Sequence, residues 1–203
     1  MSIRVYWLDC RGVDPAQVWH LMSDRRREKI EQISPEAGKR QSAAAELALV
    51  RALARERNAA EEKVKWHARE DGKPVLDGGP HFSLSHSGDI AVCAVCEQEV
   101  GVDIERCRKI SPAMRRVVFS QAEEERSDAQ LLKTWVAKES FLKMTGEGIR
   151  RRMNGIAVCD GCILDETGRK TACVQAIPFP LEGYELCVCS EQMEDIQLIR
   201  LDE

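Results

Sequence analysis

The fold is decided by the stretch Phe82-Ser-Leu-Ser-His-Ser-Gly-Asp-Ile-Ala-Val-Cys-Ala-Val-Cys-Glu-Gln-Glu-Val-Gly-Val-Asp-Ile-Glu105. Its apolar residues alternate with polar ones or form short runs, which is the pattern of β-strands. We expect three strands here, near residues 82–86, 90–97 and 100–105. The stretch therefore predicts the centre of a mostly antiparallel sheet.

Helices and further strands extend outward from this centre. Ser34-Pro35 is a helix start signal, with serine as the cap and proline in the first turn, and the helix is expected to run to about Arg57. A second long helix is expected near 128–145. Shorter helices are expected near 14–22, 24–33 and 111–118, and strands near 3–8, 66–69, 155–159, 170–177, 184–190 and 196–201.

Two segments echo one another across the chain. Ala91-Val-Cys-Ala-Val-Cys-Glu97 and Glu185-Leu-Cys-Val-Cys-Ser-Glu191 are both apolar, cysteine-bearing strands that end in glutamate, and each follows a long helix. The echo indicates a duplicated α+β fold. We expect two similar halves, 1–99 and 100–203, each a mostly antiparallel sheet packed with a long helix.

The composition points to a cytoplasmic protein. Of 203 residues, 43% are hydrophobic and 32% are charged. No apolar run approaches the ~18 residues of a membrane helix. The N-terminus alternates like a strand and does not resemble a signal peptide. The nine cysteines are therefore expected to be reduced thiols in the cytoplasm.

Two Cys-x-x-Cys spacings raise the alternative of a zinc site. Cys93 and Cys96 lie on one predicted strand, where residues three apart point to opposite faces. Cys159 and Cys162 lie at a turn and resemble half of a zinc knuckle, without a second half. A structural zinc site needs four ligands, so zinc is disfavoured.

The net charge of −4 argues against a nucleic-acid partner, yet the basic residues are clustered. Arg25-Arg-Arg-Glu-Lys29, Lys39-Arg40 and Arg150-Arg-Arg152 form three groups. They are either three solvated faces or one convergent site for an anionic ligand.

Two carboxylates share one face of the last strand in the central stretch. Asp103 and Glu105 are two residues apart and point the same way, whereas Val102 and Ile104 point to the other face. Both carboxylates either face solvent or share a cation, because side-by-side carboxylates repel one another.

A third carboxylate lies on the second long helix. In Trp135-Val-Ala-Lys-Glu-Ser-Phe-Leu-Lys143, the helical spacing places Glu139 on the core-facing side. Its partner is either Lys143, four residues later, or a metal ion. Together with Asp103 and Glu105 it would form a hard oxygen site that suits Mg²⁺.

Ser85 and His86 suggest a nucleophile pair, but neighbours on a strand face opposite ways, and the chain has no Gly-x-Ser-x-Gly elbow. Both side chains could instead hydrogen-bond phosphate oxygens. Lys73, in the turn Gly72-Lys-Pro74, offers another cation. For His86 alone, a structural role and a ligand role stay open.

These motifs resemble a known family. Gly101-Val-Asp-Ile-Glu105 and Trp135-x-x-Lys-Glu-Ser-Phe-x-Lys143 resemble the paired signatures of the 4′-phosphopantetheinyl transferases. Gly72-Lys-Pro74 and Phe82-Ser-Leu-Ser-His-Ser87 resemble the upstream motifs of the larger, surfactin-type branch, a pseudo-dimeric monomer. The resemblance runs from about Ser23 to the last strand.

The resemblance implies a reaction and a role for each matching residue. The phosphopantetheine of coenzyme A would pass to a serine of an apo acyl or peptidyl carrier protein, with Mg²⁺ (or Mn²⁺) bound, and adenosine 3′,5′-bisphosphate would leave. Asp103, Glu105 and Glu139 match the metal ligands, Glu139 also matches the base, and Lys143 matches a phosphate contact. The matching coenzyme A contacts are Arg26, Lys29, Arg40, Lys73, Ser85 and His86, with His86 near the 3′-phosphate.

Two positions and two other functions stay open. Gln41 could take the place of Arg40, and Gly146-Glu-Gly-Ile149 carries an acid where the family has a base. A catalytically silent protein of the same fold would only bind coenzyme A or the carrier. A Mg²⁺-dependent phosphodiesterase would share the carboxylates but not the motifs around Lys73 and His86.

Overall fold

The computed structural model describes residues 2–70, 72–148 and 151–201, and these form strands β1–β11 and helices α1–α6. The strands are β1 Ser2–Asp9, β2 His67–Ala68, β3 Pro74–Val75, β4 His81–Ser87, β5 Ile90–Cys96, β6 Val100–Arg106, β7 Ala157–Cys159, β8 Cys162–Leu164, β9 Lys170–Ile177, β10 Tyr184–Ser190 and β11 Asp195–Arg200. The helices are α1 Pro15–Val18, α2 Asp24–Glu31, α3 Glu36–Arg57, α4 Pro112–Val118, α5 Gln121–Glu124 and α6 Asp128–Thr145.

The strands form two large sheets and one short pair. The first sheet has the order β11-β1-β5-β4, the second has the order β6-β10-β9-β8-β7, and β2 pairs with β3. β1 and β11 run parallel, and the other neighbours are antiparallel. The sequence predicted this antiparallel character from the alternating stretch.

The two sheets stack face to face between the two long helices. Val5, Val92, Val102 and Val188 belong to the apolar layer between the sheets. The other face of the first sheet packs against α3, and the other face of the second packs against α6. The resulting α/β/β/α layers confirm the predicted α+β class.

The last strand crosses between the two halves of the chain. β11 pairs with β1 from Ser2–Asp195 to Trp7–Arg200, so it extends the first sheet. The division into halves at residues 99 and 100 stays a prediction. The crossing of β11 means that the second half of the chain supplies an edge strand to the first sheet.

The predicted start of α3 is wrong by one to two residues. Pro35 occupies the N-cap position in extended conformation, without a side-chain cap, and the helix begins at Glu36. Ser34 lies one residue too far out to cap it. The helix ends at Arg57, where Asn58 takes a left-handed conformation (φ 48°).

The sequence did not predict the short elements β3, β8 and α5. β8 forms with β7 a hairpin closed by Asp160 and Gly161, both at positive φ (47° and 73°). α5 begins with a capping box in which Ser120 and Glu123 satisfy each other's backbone N–H groups. No helix among the described residues is both long and apolar enough to cross a membrane.

Candidate active site

Three serines of β4, here called the serine row (Ser83, Ser85 and Ser87), join the first sheet to the second. Each hydroxyl accepts a hydrogen bond from a backbone N–H of β6. Val102 donates to Ser83 at 3.1 Å, Ile104 to Ser85 at 3.3 Å and Arg106 to Ser87 at 3.0 Å. Donors and acceptors both recur every second residue, because alternate strand residues share a face. The serine row therefore satisfies the backbone of β6 along the edge that pairs with no other strand in the described part of the chain.

The serine row also orients the two carboxylates of β6. Ser85 donates to Asp103 Oδ1 at 2.7 Å, and Ser87 donates to Glu105 Oε2 at 2.8 Å. The two acidic side chains share a face, as the alternation predicted. Asp103 is buried, so it does not face solvent.

Gly101 lets α6 approach β6 closely. A Cβ at this glycine would lie 1.8 Å from the backbone oxygen of Ser140 and 2.6 Å from the backbone nitrogen of Met144. Only glycine fits such a contact. The close approach holds Glu139 and Lys143, one turn apart on α6, beside the carboxylates of β6.

Lys143 is the ion-pair partner of Asp103. Its Nζ donates to Asp103 Oδ1 at 2.6 Å and to Ser85 Oγ at 2.8 Å. The sequence left open that Lys143 pairs with Glu139, which instead feels Lys143 only through its charge. The pKa of Glu139 is raised by burial first and by repulsion from Asp103, while Lys143 opposes the rise.

The carboxylates suit a divalent cation, although the described residues contain no group of three His, Cys, Asp or Glu side chains set to hold a metal. Asp103 Oδ2 is buried without a hydrogen-bond partner among them. A buried carboxylate oxygen without a partner is costly. Repulsion from Asp103 and Glu105 raises the pKa of Glu139, which a cation would relieve. The donor set therefore fits Mg²⁺, while the assignment of Asp103, Glu105 and Glu139 as ligands stays a prediction.

A cavity of about 250 Å³ opens beside Glu139 and Lys143. Lys73 lies in its wall, and its ammonium bonds with Glu99 and with the backbone oxygen of Met144. This lysine is buried, and it helps to satisfy the carboxyl end of α6. The turn that carries Lys73 thus belongs to the site, and Asp71 lies outside the described residues.

His86 lies between the basic residue Arg26 of α2 and Lys143 of α6. The imidazole is exposed at its surface, yet surrounding protein lowers its pKa, and the charges of Lys143 and Arg26 lower the pKa further. Arg26 donates to the buried Glu46 at 3.2 Å, which places the guanidinium against α3. Cations from α2 and α6 therefore lie on either side of the imidazole of β4, as expected for an anion site.

The two remaining predicted contacts lie on the protein surface. Arg40 and Lys29 are exposed on α3 and α2. The Gln41 amide donates to the backbone oxygen of Gly88 at 2.6 Å and fastens α3 to the β4–β5 turn. That bond leaves Arg40 as the better candidate for the phosphate contact.

The turn after α6 does not offer a basic group between its glycines. Gly146 caps the helix with φ 77°, and Glu147 accepts from Arg151 at 2.9 Å. Ile149, the last residue of this predicted turn, lies outside the described residues. So does Arg150, the first residue of the third basic group.

The sequence analysis gave no role to Lys138, which is fully buried. Its ammonium bonds with Glu123 at 2.8 Å and with the backbone oxygen of Val118 at 3.1 Å, and lies 5.5 Å from the ring centre of Phe119. Burial lowers the pKa of Lys138, and Glu123 opposes that shift. Lys138 thereby holds the segment of α4 and α5 against α6. The capping box formed by Ser120 and Glu123 is the sequence signal that marks this segment.

The cysteines all carry free thiols. Cys93 faces the α3 core and Cys96 faces the layer between the sheets, which confirms that this pair points to opposite faces. Cys159 and Cys162 lie on the β7–β8 hairpin.

Similarity to known proteins agrees with the motifs. Residues 99–189 match the 4′-phosphopantetheinyl transferase superfamily (ACPS). The chain is 32% identical over 149 residues to 4′-phosphopantetheinyl transferase psf-1 of Bacillus pumilus, covering 64% of this chain and 62% of that protein. It is 28% identical over 158 residues to 4′-phosphopantetheinyl transferase Sfp of Bacillus subtilis (strain 168), covering 69% and 70%.

A third relative matches over a similar length. The chain is 30% identical over 158 residues to 4′-phosphopantetheinyl transferase ffp of Bacillus subtilis, covering 67% of this chain and 68% of that protein. The match spans somewhat less than two thirds of psf-1 and slightly more of the other two. The matched region contains β6 and α6 with their carboxylates, so the chain belongs to the 4′-phosphopantetheinyl transferase superfamily, in the group that includes Sfp.

Proposed function

We propose that this chain transfers the 4′-phosphopantetheine of coenzyme A to a serine hydroxyl of an apo acyl or peptidyl carrier protein and releases adenosine 3′,5′-bisphosphate. The observation that carries the proposal is the contact of Lys143 with Asp103, with Glu139 one turn away, in the wall of the cavity beside Lys73. The names of the relatives support the same activity.

The cationic groups supply the binding of the nucleotide. Arg26 and Lys143 lie close enough to His86 for their charges to lower the pKa of its imidazole, and Lys143 contacts Asp103. We therefore assign Arg26, His86 and Arg40 to the 3′-phosphate and Lys143 to the pyrophosphate. Phosphoryl-type transfer depends mainly on positioning and charge neutralisation. These side chains would fix the leaving nucleotide and spread its negative charge.

Asp103, Glu105 and Glu139 would hold Mg²⁺. When bound, the ion would neutralise charge on the pyrophosphate oxygens. The unpartnered Oδ2 of Asp103 supports this assignment. Chelation by EDTA is expected to abolish transfer and added Mg²⁺ or Mn²⁺ to restore it, whereas full activity in metal-free buffer would remove these three residues from the role.

Glu139 would take the proton from the attacking serine hydroxyl. Burial, the largest cause, raises its pKa independently of the repulsion that a cation would relieve, and this makes the carboxylate a stronger base than one in water. We further infer that the enzyme acts as a monomer in the cytoplasm, whose reducing environment suits its nine free thiols.

One experiment separates this function from its two rivals. The chain is incubated with coenzyme A labelled in the pantetheine arm, Mg²⁺ and an apo carrier protein. Label on the carrier supports transfer, whereas label that stays in coenzyme A indicates a silent binder. Release of phosphopantetheine into solution without labelled carrier indicates a phosphodiesterase.

A further inference from the structure

Three cysteines outside the candidate active site, here called the thiol row, lie side by side across three strands. Cys159 on β7 is directly opposite Cys162 on β8, and Cys162 is directly opposite Cys173 on β9. Directly opposite residues of antiparallel strands point to the same face. The neighbours Ile163 and Val174 point to the α6 core, so the thiols lie on the other face.

The backbone geometry distinguishes the two neighbouring pairs. The N–H of Val174 donates to the backbone oxygen of Gly161 at 2.9 Å, so this bond flanks the pair Cys162–Cys173 and does not join it. Such non-hydrogen-bonded pairs have Cα atoms about 4.5 Å apart and side chains close together. That separation lies within the ~4.4–6.8 Å range of disulfides.

Cys159 is the less favourable partner for Cys162. The two residues close a two-residue turn, where opposite residues exchange backbone hydrogen bonds and their side chains lie farther apart than in a non-hydrogen-bonded pair. The Cys159 thiol also donates to Asp160 at 3.5 Å. That carboxylate raises the pKa of Cys159 through the hydrogen bond and through its charge, which disfavours the reactive thiolate.

Lys170 lies beside the other two thiols. Hydrogen bonding with the side chain of Cys173, and to a smaller extent with that of Cys162, raises the pKa of the Lys170 ammonium. Peroxides attack the thiolate form of cysteine. Cys162 and Cys173 are each partly exposed, so a small oxidant can reach them.

We propose that Cys162 and Cys173 form a reversible disulfide and are a redox-modification site of this protein. The thiolate of one cysteine attacks hydrogen peroxide, the O–O bond breaks, and a sulfenic acid and water form. The second thiol attacks that sulfur, an S–S bond forms, and a second water leaves. Two sulfur atoms are oxidised by two electrons in total, and the peroxide oxygens are reduced; a dithiol reductant reverses the change.

The bond would staple β8 to β9 without touching the candidate active site. The order β6-β10-β9-β8 places β9 two strands and β8 three strands from β6, which carries Asp103. Closing a short loop constrains the unfolded chain, so the melting temperature of the oxidised protein should rise by about 5 °C. The transfer rate should stay within about twofold of the reduced protein.

The test is peptide mapping of the full chain after treatment with hydrogen peroxide, under non-reducing conditions and with fragmentation of linked peptides. The Cys162–Cys173 link is expected in the wild type, in Cys159→Ser and in the matched control Cys107→Ser, which removes an exposed cysteine elsewhere. Cys173→Ser should lack it.

Three results would overturn the proposal. One is a dominant Cys159–Cys162 link in the wild type. Another is oxidation that stops at sulfenic acid, detected with a dimedone-type probe. The third is a Cys162–Cys173 link that forms only after unfolding in urea.

Discussion

Replacing Gly101 by alanine tests whether the contact between β6 and α6 builds the site. The added Cβ would lie 1.8 Å from the Ser140 oxygen, whereas real Cβ contacts essentially never fall below 3.0 Å, so the two backbones must separate by about 1.2 Å. Overpacking of this kind costs about 1–3 kcal/mol of unfolding free energy. The melting temperature should fall by roughly 2–10 °C.

The same displacement should disturb the chemistry. The Lys143–Asp103 bond of 2.6 Å would lengthen beyond hydrogen-bonding distance if the elements moved rigidly. A misplacement of about 1 Å costs roughly 10²-fold in rate. We therefore expect Gly101→Ala to lower kcat for carrier modification by about that factor.

The assay combines thermal unfolding with carrier modification at saturating coenzyme A. The matched control is Gly12→Ala, because a Cβ at Gly12 meets no atom within 4 Å. The control should keep both the melting temperature and kcat. A Gly101→Ala protein with wild-type values of both would refute the reasoning.

Three further predictions concern single side chains. Glu139→Gln should lower kcat by about 10²–10⁴-fold. In the wild type the rate should rise as the pH passes the raised pKa of Glu139, because only the deprotonated base accepts the proton, and the variant should lack this rise. An unchanged pH profile would exclude Glu139 as the base. His86→Ala should weaken coenzyme A binding with little change in kcat, and removal of the 3′-phosphate from the substrate should hurt the wild type but add little in the variant. Equal losses in both proteins would make the histidine structural. Lys138→Met should cost about 3–5 kcal/mol of unfolding free energy by leaving Glu123 buried without its partner, whereas the control Lys133→Met, at an exposed side chain, should cost little; equal denaturation midpoints would contradict this.

Local pattern was enough to predict most elements. The central strands β4, β5 and β6 alternate or form apolar runs, and α6 has helical spacing from Leu132 to Leu142. β8 was missed because a three-residue strand carries too little periodicity. The parallel pairing of β11 with β1 was not predictable, since it joins residues at opposite ends of the chain.

The site was predictable in composition but not in its contacts. Strand alternation placed Asp103 and Glu105 on one face, and the structure agrees. Helical spacing could not show that Lys143 reaches Asp103 and not Glu139, because that choice depends on how α6 lies on β6. The two-residue spacing of the serine row is visible in the sequence. The sequence does not predict that these serines bond both to the backbone of β6 and to its carboxylates.

The most direct measurement is the intact mass of a panel of apo acyl and peptidyl carrier proteins after incubation with this enzyme, coenzyme A and Mg²⁺. We predict that at least one carrier gains the mass of a single phosphopantetheine, located on one serine, with one adenosine 3′,5′-bisphosphate released per modified carrier. Carriers of both classes that all keep their apo mass at saturating coenzyme A, while a known transferase modifies them in parallel, would contradict the assigned activity.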